Sequence, residues 1–221
     1  MFNRIADRYE IANTIFSFGL DKYFRAKAAE IAIKPNEIYK ILDTATGTGN
    51  LITELLRRAY SVNSKIEIYA IDQSSKMLNV ARRRFNGLSN VHIYRMDALH
   101  TSFKDESFDL ITNSMALRNF DDRLSFLKES YRLLKRKGRL VILDTAIPDS
   151  LACRIFFEIY SRLILLEGYF IDKDAYKFMI DSIRRQRRDE VLELCYKAGF
   201  SKCNIMNLFS EIPFIIEAFK I

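Results

Sequence analysis

Hydrophobic residues follow two different spacings along this chain, and segments of the two kinds alternate. Steps of three and four residues, typical of amphipathic helices, occur in residues 1–33, 51–56 and 121–135. Alternating or continuous apolar runs predict strands, and these segments are Lys40–Asp43, Lys65–Asp72, Val91–Met96, Phe108–Asn113 and Arg139–Thr145. Strands separated by helices predict parallel βαβ units and therefore an α/β fold with a doubly wound sheet.

The C-terminal part of the chain closes this predicted sheet. Gly138 is predicted to end the turn before the fifth strand, and Asp189–Ala198 forms the last helix. Two further strands follow, Lys202–Phe209 and Ile212–Ile221, and the short turn between them makes the pair antiparallel. The prediction is thus a mostly parallel seven-stranded sheet in a single domain that spans residues 1–221.

Two helical additions flank this core. Residues 1–33, with a break at Ser17–Leu20, either cap a bound ligand or are a simple pair of packing helices. Residues 146–185 form an insertion that can act as a lid. Within it, Leu151–Phe170 has a wide apolar face, so this helix is buried on several sides or also lines a greasy substrate channel. The run Arg184–Arg188 is predicted to open the last helix as a solvated face, with contact to anionic lipid as the alternative.

Composition narrows the class of protein. The 221 residues are 49% hydrophobic, which argues against disorder, and the net charge of +7 permits attraction to nucleic acid or to an anionic membrane. Three cysteines and two histidines lack metal-ligand spacing, so we predict free thiols and no metal. Neither a signal peptide nor an apolar stretch long enough to span a membrane is visible, which predicts a cytoplasmic protein.

The stretch Ile41–Asn50 carries the clearest chemical signal. Its sequence predicts a strand, a glycine turn at Gly47 and Gly49, and a helix that begins directly afterwards. Such a turn presents backbone N–H groups at a helix N-terminus and lets a ligand approach the backbone closely. A dinucleotide fingerprint would require a third glycine at position 52, which is Ile52 here. An acidic residue four positions before the first glycine, Asp43, instead matches class I methyltransferases that use S-adenosylmethionine.

Polar residues also follow the next three strands. Asp72 lies about twenty residues after the glycine turn, the distance at which doubly wound folds place a carboxylate for a ribose hydroxyl. Asp97 and Ala98 end the third strand and suit an adenine site, because one accepts from the exocyclic amine and the other leaves room for the ring. Asn113 and Ser114 end the fourth strand. Because ligands of such sheets bind beyond the carboxyl ends of the strands, these residues predict one site.

Taken together, these segments resemble the ubiquinone/menaquinone biosynthesis C-methyltransferases, a family with the Rossmann-like class I methyltransferase fold. The glycine turn is common to all class I methyltransferases, whereas Leu117-Arg118-Asn119 and the segment from Tyr176 to Ile183 are far more specific. The matching segments run nearly end to end: Phe2–Arg25, Leu42–Asn50, Asp105–Asp122, Tyr131–Leu143 and Asp174–Ile183.

The resemblance implies a cofactor, S-adenosyl-L-methionine, and a reaction, methyl transfer to a ring carbon of a polyprenylated benzoquinol or naphthoquinol. It also implies cofactor contacts in the turn, at the ribose, at the adenine and after the fourth strand. The full predicted set is Asp43, Gly47, Thr48, Gly49, Asp72, Gln73, Asp97, Ala98 and Ser114.

The acceptor chemistry adds a requirement. A ring carbon is nucleophilic only when the neighbouring hydroxyl is ionised, so a base or a cation that stabilises the phenolate is needed. Arg118 is the candidate for that cation, and a structural salt bridge or helix cap is the alternative. Tyr9, Tyr160 and Tyr176 are candidates for orienting the ring.

Different functions remain open at this point. Enzymes that methylate a base amine place an Asn/Asp-Pro-Pro-aromatic turn after strand four, and residues 113–116 lack it, so we predict no nucleic-acid partner. A class I methyltransferase of another small molecule and a non-catalytic S-adenosylmethionine-binding subunit are both compatible with the same residues. The predicted partner is a lipophilic quinol, with peripheral membrane contact and a homodimer as further options.

Overall fold

The computed structural model describes residues 19–171, 173–208 and 211–221 of the chain. Helices and strands alternate through most of this length. The helices are α1 Asp21–Ala32, α2 Asn50–Ser61, α3 Ser75–Arg84, α4 Arg123–Leu133, α5 Leu151–Ile171, α6 Lys173–Arg185 and α7 Arg188–Lys197. The strands are β1 Ile38–Thr44, β2 Lys65–Asp72, β3 Val91–Arg95, β4 Phe108–Ser114, β5 Leu134–Thr145, β6 Lys202–Asn207 and β7 Pro213–Phe219.

All seven strands form one sheet in the order β3-β2-β1-β4-β5-β7-β6. The first five strands pair in parallel, whereas β7 pairs antiparallel with both β5 and β6. The strand order therefore reverses between β1 and β4. Such a switch point places a crevice at the carboxyl ends of the strands. The predicted fold class is confirmed, including the antiparallel hairpin that closes the sheet.

Helices cover both faces of the sheet because the parallel strands are apolar on both sides. Two consecutive residues of β1 illustrate this, because their side chains point to opposite faces. Ile41 packs in the cluster that contains α1 and α2, and Leu42 packs in the cluster that contains α4 and α7. The predicted second N-terminal helix corresponds to α1. The first one lies in residues 1–18, outside the described residues.

Strand β5 is longer than predicted. It begins at Leu134, so Gly138 lies inside the strand and the prediction that Gly138 ends a turn is wrong. The register shifts opposite Phe108 and Leu110, and Lys137 at this bulge has a positive φ of 66°. A Cβ at position 138 would lie 2.8 Å from the Lys135 carbonyl oxygen, which explains why glycine is needed there.

The connection from β3 to β4, residues 96–107, contains no helix. One further prediction needs correction. The basic run at 184–188 does not form one solvated face, because Gln186 and Arg188 are buried. The Gln186 amide donates to the Thr145 carbonyl at 3.1 Å, and the Arg188 guanidinium binds Asp149 and the Glu211 carbonyl. These two side chains join the insertion to the end of β5.

The insertion consists of α5 and α6 packed side by side. One side of α5 contributes Phe157, Tyr160 and Ile164 to a small apolar cluster shared with α6. Its opposite side is exposed to solvent, so the expectation that this helix is buried on several sides is wrong. No helix in the described part of the chain is both long and apolar enough to cross a bilayer.

Candidate functional site

The turn after β1 is a compact loop of unusual backbone conformations. Ala45, Gly47 and Gly49 all have positive φ, at 49°, 56° and 83°. The Thr46 N–H donates to the Ile71 carbonyl at 3.0 Å, which attaches the turn to β2. Apart from the adjoining residues, no atom of residues 19–171, 173–208 or 211–221 lies within 4 Å of a Cβ built on Gly47, so the backbone there faces open space. A ligand can therefore approach the turn closely, as predicted for this glycine.

The Asp43 carboxylate stabilises this turn by hydrogen bonds. It is buried and accepts hydrogen bonds from the hydroxyls of Thr46 at 2.5 Å and Thr112 at 2.7 Å. Burial raises the pKa of Asp43 to about 6, although both threonine hydroxyls oppose the rise. Asp43 and Thr48 line a small pocket of about 40 Å³ beside the turn, which Ser114 also lines.

The raised pKa predicts a pH-dependent contribution of Asp43 to stability. The folded-state pKa of about 6 lies above the ordinary value of 3.8, so the native state holds the extra proton between these values. The free energy of unfolding of the wild type, relative to Asp43→Asn, should therefore fall by about 2 kcal/mol as pH rises from 4 to 7. Urea unfolding of both proteins across this range measures the difference, and a constant difference would contradict the prediction.

Gly49 has a packing role in addition to its place in the turn. A Cβ at position 49 would lie 2.3 Å from a ring carbon of Phe85, at the end of α3. Gly87 offers a matched control, because its φ of 85° is similar and no atom of a described, non-adjacent residue lies within 4 Å of its Cβ position. We expect Gly49→Ala to cost about 3 kcal/mol in urea unfolding and Gly87→Ala about 1 kcal/mol. Equal losses would show that backbone strain alone requires this glycine.

A cleft of about 360 Å³ opens beside the turn at the carboxyl edge of the sheet. Its lining brings together most of the residues predicted to bind the cofactor, which are Gly47, Asp72, Gln73, Asp97, Ala98 and Ser114. Asp43 and Thr48 lie in the neighbouring small pocket, and Gly49 lines neither cavity. The cleft has the size of a site for a small organic ligand.

Asp72 is the anchor of this cleft. Its two carboxylate oxygens accept from the Gly47 N–H at 2.9 Å and from the Ser74 N–H at 2.7 Å. Burial raises the pKa of Asp72, and these backbone donors counteract the rise. Each carboxylate oxygen has a second lone pair, so Asp72 can still accept from two ligand hydroxyls. Asp97 is held similarly, because its carboxylate accepts from the Leu99 N–H at 2.9 Å.

Two buried polar atoms in the cleft wall lack a partner. The Ser114 hydroxyl oxygen and the Asn119 amide oxygen make no hydrogen bond with the described residues. A buried unpaired polar atom is costly, and a polar ligand in the cleft would satisfy both. S-adenosylmethionine fits this donor and acceptor set, because it carries two ribose hydroxyls, an adenine amine and an aminoacyl group.

Arg118 lies behind the cleft wall and not among its lining residues. Its backbone N–H donates to Asp144 at 3.0 Å, its guanidinium forms an ion pair with the same carboxylate, and its Nε donates to the Ser182 hydroxyl at 3.1 Å. The Arg118 side chain is 7% exposed and that of Asp144 is fully buried. This geometry favours the salt-bridge alternative. The predicted role of Arg118 as a phenolate partner stays a prediction.

The structure does not bring Tyr160 or Tyr176 to the cleft. Tyr160 and Tyr176 belong to the apolar cluster between α5 and α6, with 9% and 2% of their surface exposed. Tyr160 also stacks on Phe156, with ring centroids 5.9 Å apart. Tyr9 lies outside the described residues.

Several cleft residues give no signal in the sequence. Met96, Met115 and Phe120 supply apolar walls, and apolar residues at strand ends give no local sign of a binding role. Met115 has a positive φ of 58°, which is rare for such a residue and marks the strained loop after β4. Asp144 is 26 positions from Arg118 and becomes its partner only through the pairing of β4 with β5.

Comparison with known proteins agrees with this geometry. Residues 1–220 match the model of the ubiE/COQ5 methyltransferase family. The chain is 38% identical to a demethylmenaquinone methyltransferase of Thermotoga maritima over 90% of this chain and 86% of that one. It is 33% identical to a demethylmenaquinone methyltransferase of Porphyromonas gingivalis over its full length and 91% of that protein.

Solved structures share the fold at lower identity. A SAM-dependent methyltransferase of Thermotoga maritima superposes with a TM-score of 0.71 at 19% identity, covering 100% of this chain and 98% of the other. Phosphoethanolamine N-methyltransferase 2 of Haemonchus contortus, solved with S-adenosyl-L-methionine, gives 0.70 at 16% identity, covering 100% of this chain and 60% of that one. The family model, the full-length relatives and the fold lead to one conclusion: this chain belongs to the ubiE/COQ5 methyltransferase family.

Proposed function

We propose that this chain is an S-adenosyl-L-methionine-dependent C-methyltransferase that acts on the ring of a polyprenylated quinol in menaquinone or ubiquinone biosynthesis. The observation that carries the proposal is the cleft at the switch point, where carboxylates from two neighbouring strands face the same space as an open glycine turn. Full-length relatives named as demethylmenaquinone methyltransferases supply the acceptor class.

Each part of the cleft has a role in this proposal. Asp72 accepts from the ribose hydroxyls, and Asp97 with Ala98 holds the adenine. Gly47, Thr48 and Ser114 border the aminoacyl end. Gln73 lies beside the ribose and contacts it as well. Asp43 and Gly49 act indirectly, because they fix the conformation of the turn.

The bound cofactor supplies a methyl group that is already electrophilic. The chain must therefore align the acceptor carbon and favour ionisation of the ring hydroxyl. Apolar walls from Met96, Met115 and Phe120 exclude water from the cleft, which strengthens electrostatic interactions inside it. We propose that the Arg118–Asp144 pair positions the loop after β4 and that its cation favours the phenolate.

Isotope transfer tests the proposed function. The purified chain is incubated with methyl-labelled S-adenosylmethionine and either a prenylated naphthoquinol in detergent or total RNA. Label in the quinol ring, located by mass spectrometry of the product, supports the proposal. Label in RNA, or no label in either acceptor while the cofactor still binds, would overturn it in favour of a nucleic-acid enzyme or a non-catalytic subunit.

A lipophilic acceptor also has a consequence for the location of the protein. A polyprenyl chain partitions into the bilayer, so we propose that the protein meets its acceptor by peripheral contact with a membrane. A homodimer also remains a prediction, and sedimentation equilibrium of the purified chain tests it.

A further inference from the structure

The outward face of α5 is an exposed apolar surface. Among the side chains that the structure describes on this face, six large ones are half exposed or more, with exposures from 50% to 74%. Helical spacing places them in one continuous row about 23 Å long, which we call the α5 stripe. Its members are Leu151, Ile155, Phe156, Ile159, Leu163 and Leu166. Soluble proteins rarely expose so large a continuous apolar patch unless it binds something.

Packing on the other side of the helix fixes the direction in which this stripe faces. Phe157, Tyr160 and Ile164 are buried against Tyr176 and Ile180 of α6. The helix therefore cannot turn its stripe into the core without breaking this cluster. In the part of the chain that the structure describes, the stripe is therefore held on the surface.

Charge beside the stripe is positive. Arg154 and Arg162 are exposed on one flank of α5, eight positions apart and therefore on the same side of the helix. Glu158 lies between them, but its carboxylate is bound by Arg184 of α6 at 2.7 Å. The flank thus presents cations to any surface that the stripe contacts, and the chain as a whole carries +7.

A short series of contacts also links the α5 stripe to the cleft. The partner helix α6 contributes Ser182, whose hydroxyl accepts from Arg118. The next two residues after Arg118, Asn119 and Phe120, line the cleft. One layer of helix therefore separates the exposed stripe from the loop that borders the cofactor site.

We propose that the α5 stripe docks on a bilayer that contains anionic lipids, with α5 parallel to the membrane plane and its arginines among the headgroups. The inference rests on the proposed function, because a polyprenylated acceptor is dissolved in such a bilayer. An apolar helical face flanked by cations is the pattern by which interfacial helices bind anionic membranes.

A second copy of this chain is a weaker occupant. A stable protein interface involves about 20 to 30 residues on each side. The α5 stripe contributes six residues in a single row, and the charged residues beside it are already paired within the chain or of one sign. A bilayer needs no matching surface of fixed shape, so a narrow apolar row suffices.

Vesicle co-sedimentation of the full chain tests this docking. Vesicles of phosphatidylcholine mixed with phosphatidylglycerol should bring down the wild type, and the variant Ile159→Glu/Leu163→Glu should bind about a hundredfold more weakly. Ile38→Glu is the matched control, because Ile38 is 75% exposed at the amino end of β1. The insertion follows the carboxyl end of β5, at the opposite end of the parallel strands. The Ile38→Glu variant should bind as the wild type does.

Several results would overturn the docking proposal. These are a wild type that stays in the supernatant, equal binding by the double variant, or equal binding to vesicles of phosphatidylcholine alone. A wild-type dimer that the double variant abolishes in sedimentation equilibrium would place a second copy on the stripe instead. Methyl transfer to a short-chain quinol without vesicles separates the two proposals, since its absence in the wild type sinks the proposed function whatever the sedimentation result.

Discussion

Replacing Asp72 with alanine should weaken binding of S-adenosylhomocysteine at least about a hundredfold. The carboxylate holds the turn, through the Gly47 N–H at 2.9 Å, and also faces the cleft. Its loss would remove the two charge-assisted hydrogen bonds that we propose to the ribose hydroxyls, each worth about 1.5 kcal/mol or more, and would release the turn. Isothermal titration calorimetry with the demethylated cofactor measures the change directly, without turnover.

Glu67 provides the control for this variant. It lies on the same strand, β2, but its side chain is exposed and contacts His92 and Tyr69 away from the cleft. Glu67→Ala should leave the affinity within about twofold of the wild type. If Asp72→Ala bound the ligand as tightly as Glu67→Ala, the cofactor would not be bound by the tip of β2.

The second large effect is expected at Arg118. Arg118→Ala should lower kcat about a hundredfold or more while the affinity for S-adenosylhomocysteine changes about threefold at most. The guanidinium is not part of the cleft lining, so cofactor contacts survive, whereas the cation paired with Asp144 beside the loop after β4 is lost. The pH profile of kcat gives the specific signature, since loss of a phenolate partner shifts the profile to higher pH.

Stability must be checked because Arg118→Ala leaves the buried Asp144 carboxylate without its ion-pair partner, at a cost of about 3 to 5 kcal/mol. Asp144→Asn is therefore tested beside it. This second variant keeps the cation and should lose much less turnover if Arg118 acts on the phenolate. Comparable losses in both variants, with no shift in the pH profile, would assign Arg118 a positioning role only. Equal losses of turnover and cofactor affinity in Arg118→Ala would exclude a specific role in the methyl-transfer step.

The parts of this molecule that sequence predicts well are those set by local patterns. Parallel strands buried on both faces give apolar runs of distinctive length, and the tips of such strands meet at one edge by topology. Sequence patterns therefore predict Asp72 and Asp97 beside the same ligand, and both line the observed cleft. Boundaries are less accurate where a bulge extends a strand, as in β5 before Gly138.

Pairings between distant residues cannot be predicted in this way. The Arg118–Asp144 ion pair depends on the register of β4 against β5, and Arg188 is buried only because Asp149 and the Glu211 carbonyl reach it. A wide apolar face on α5 is visible in the sequence, but its exposure is not. Burial depends on what else packs nearby, which a helical pattern alone does not specify.

The most direct test of the whole account is calorimetric titration of the purified wild-type chain with S-adenosylhomocysteine. We predict saturable binding of one ligand per chain at micromolar concentrations, since the cleft offers the carboxylates of Asp72 and Asp97, an open glycine turn and two buried polar atoms without a partner among the described residues. Absence of a binding signal at millimolar ligand would contradict the central claim that this cleft is the cofactor site of a methyltransferase.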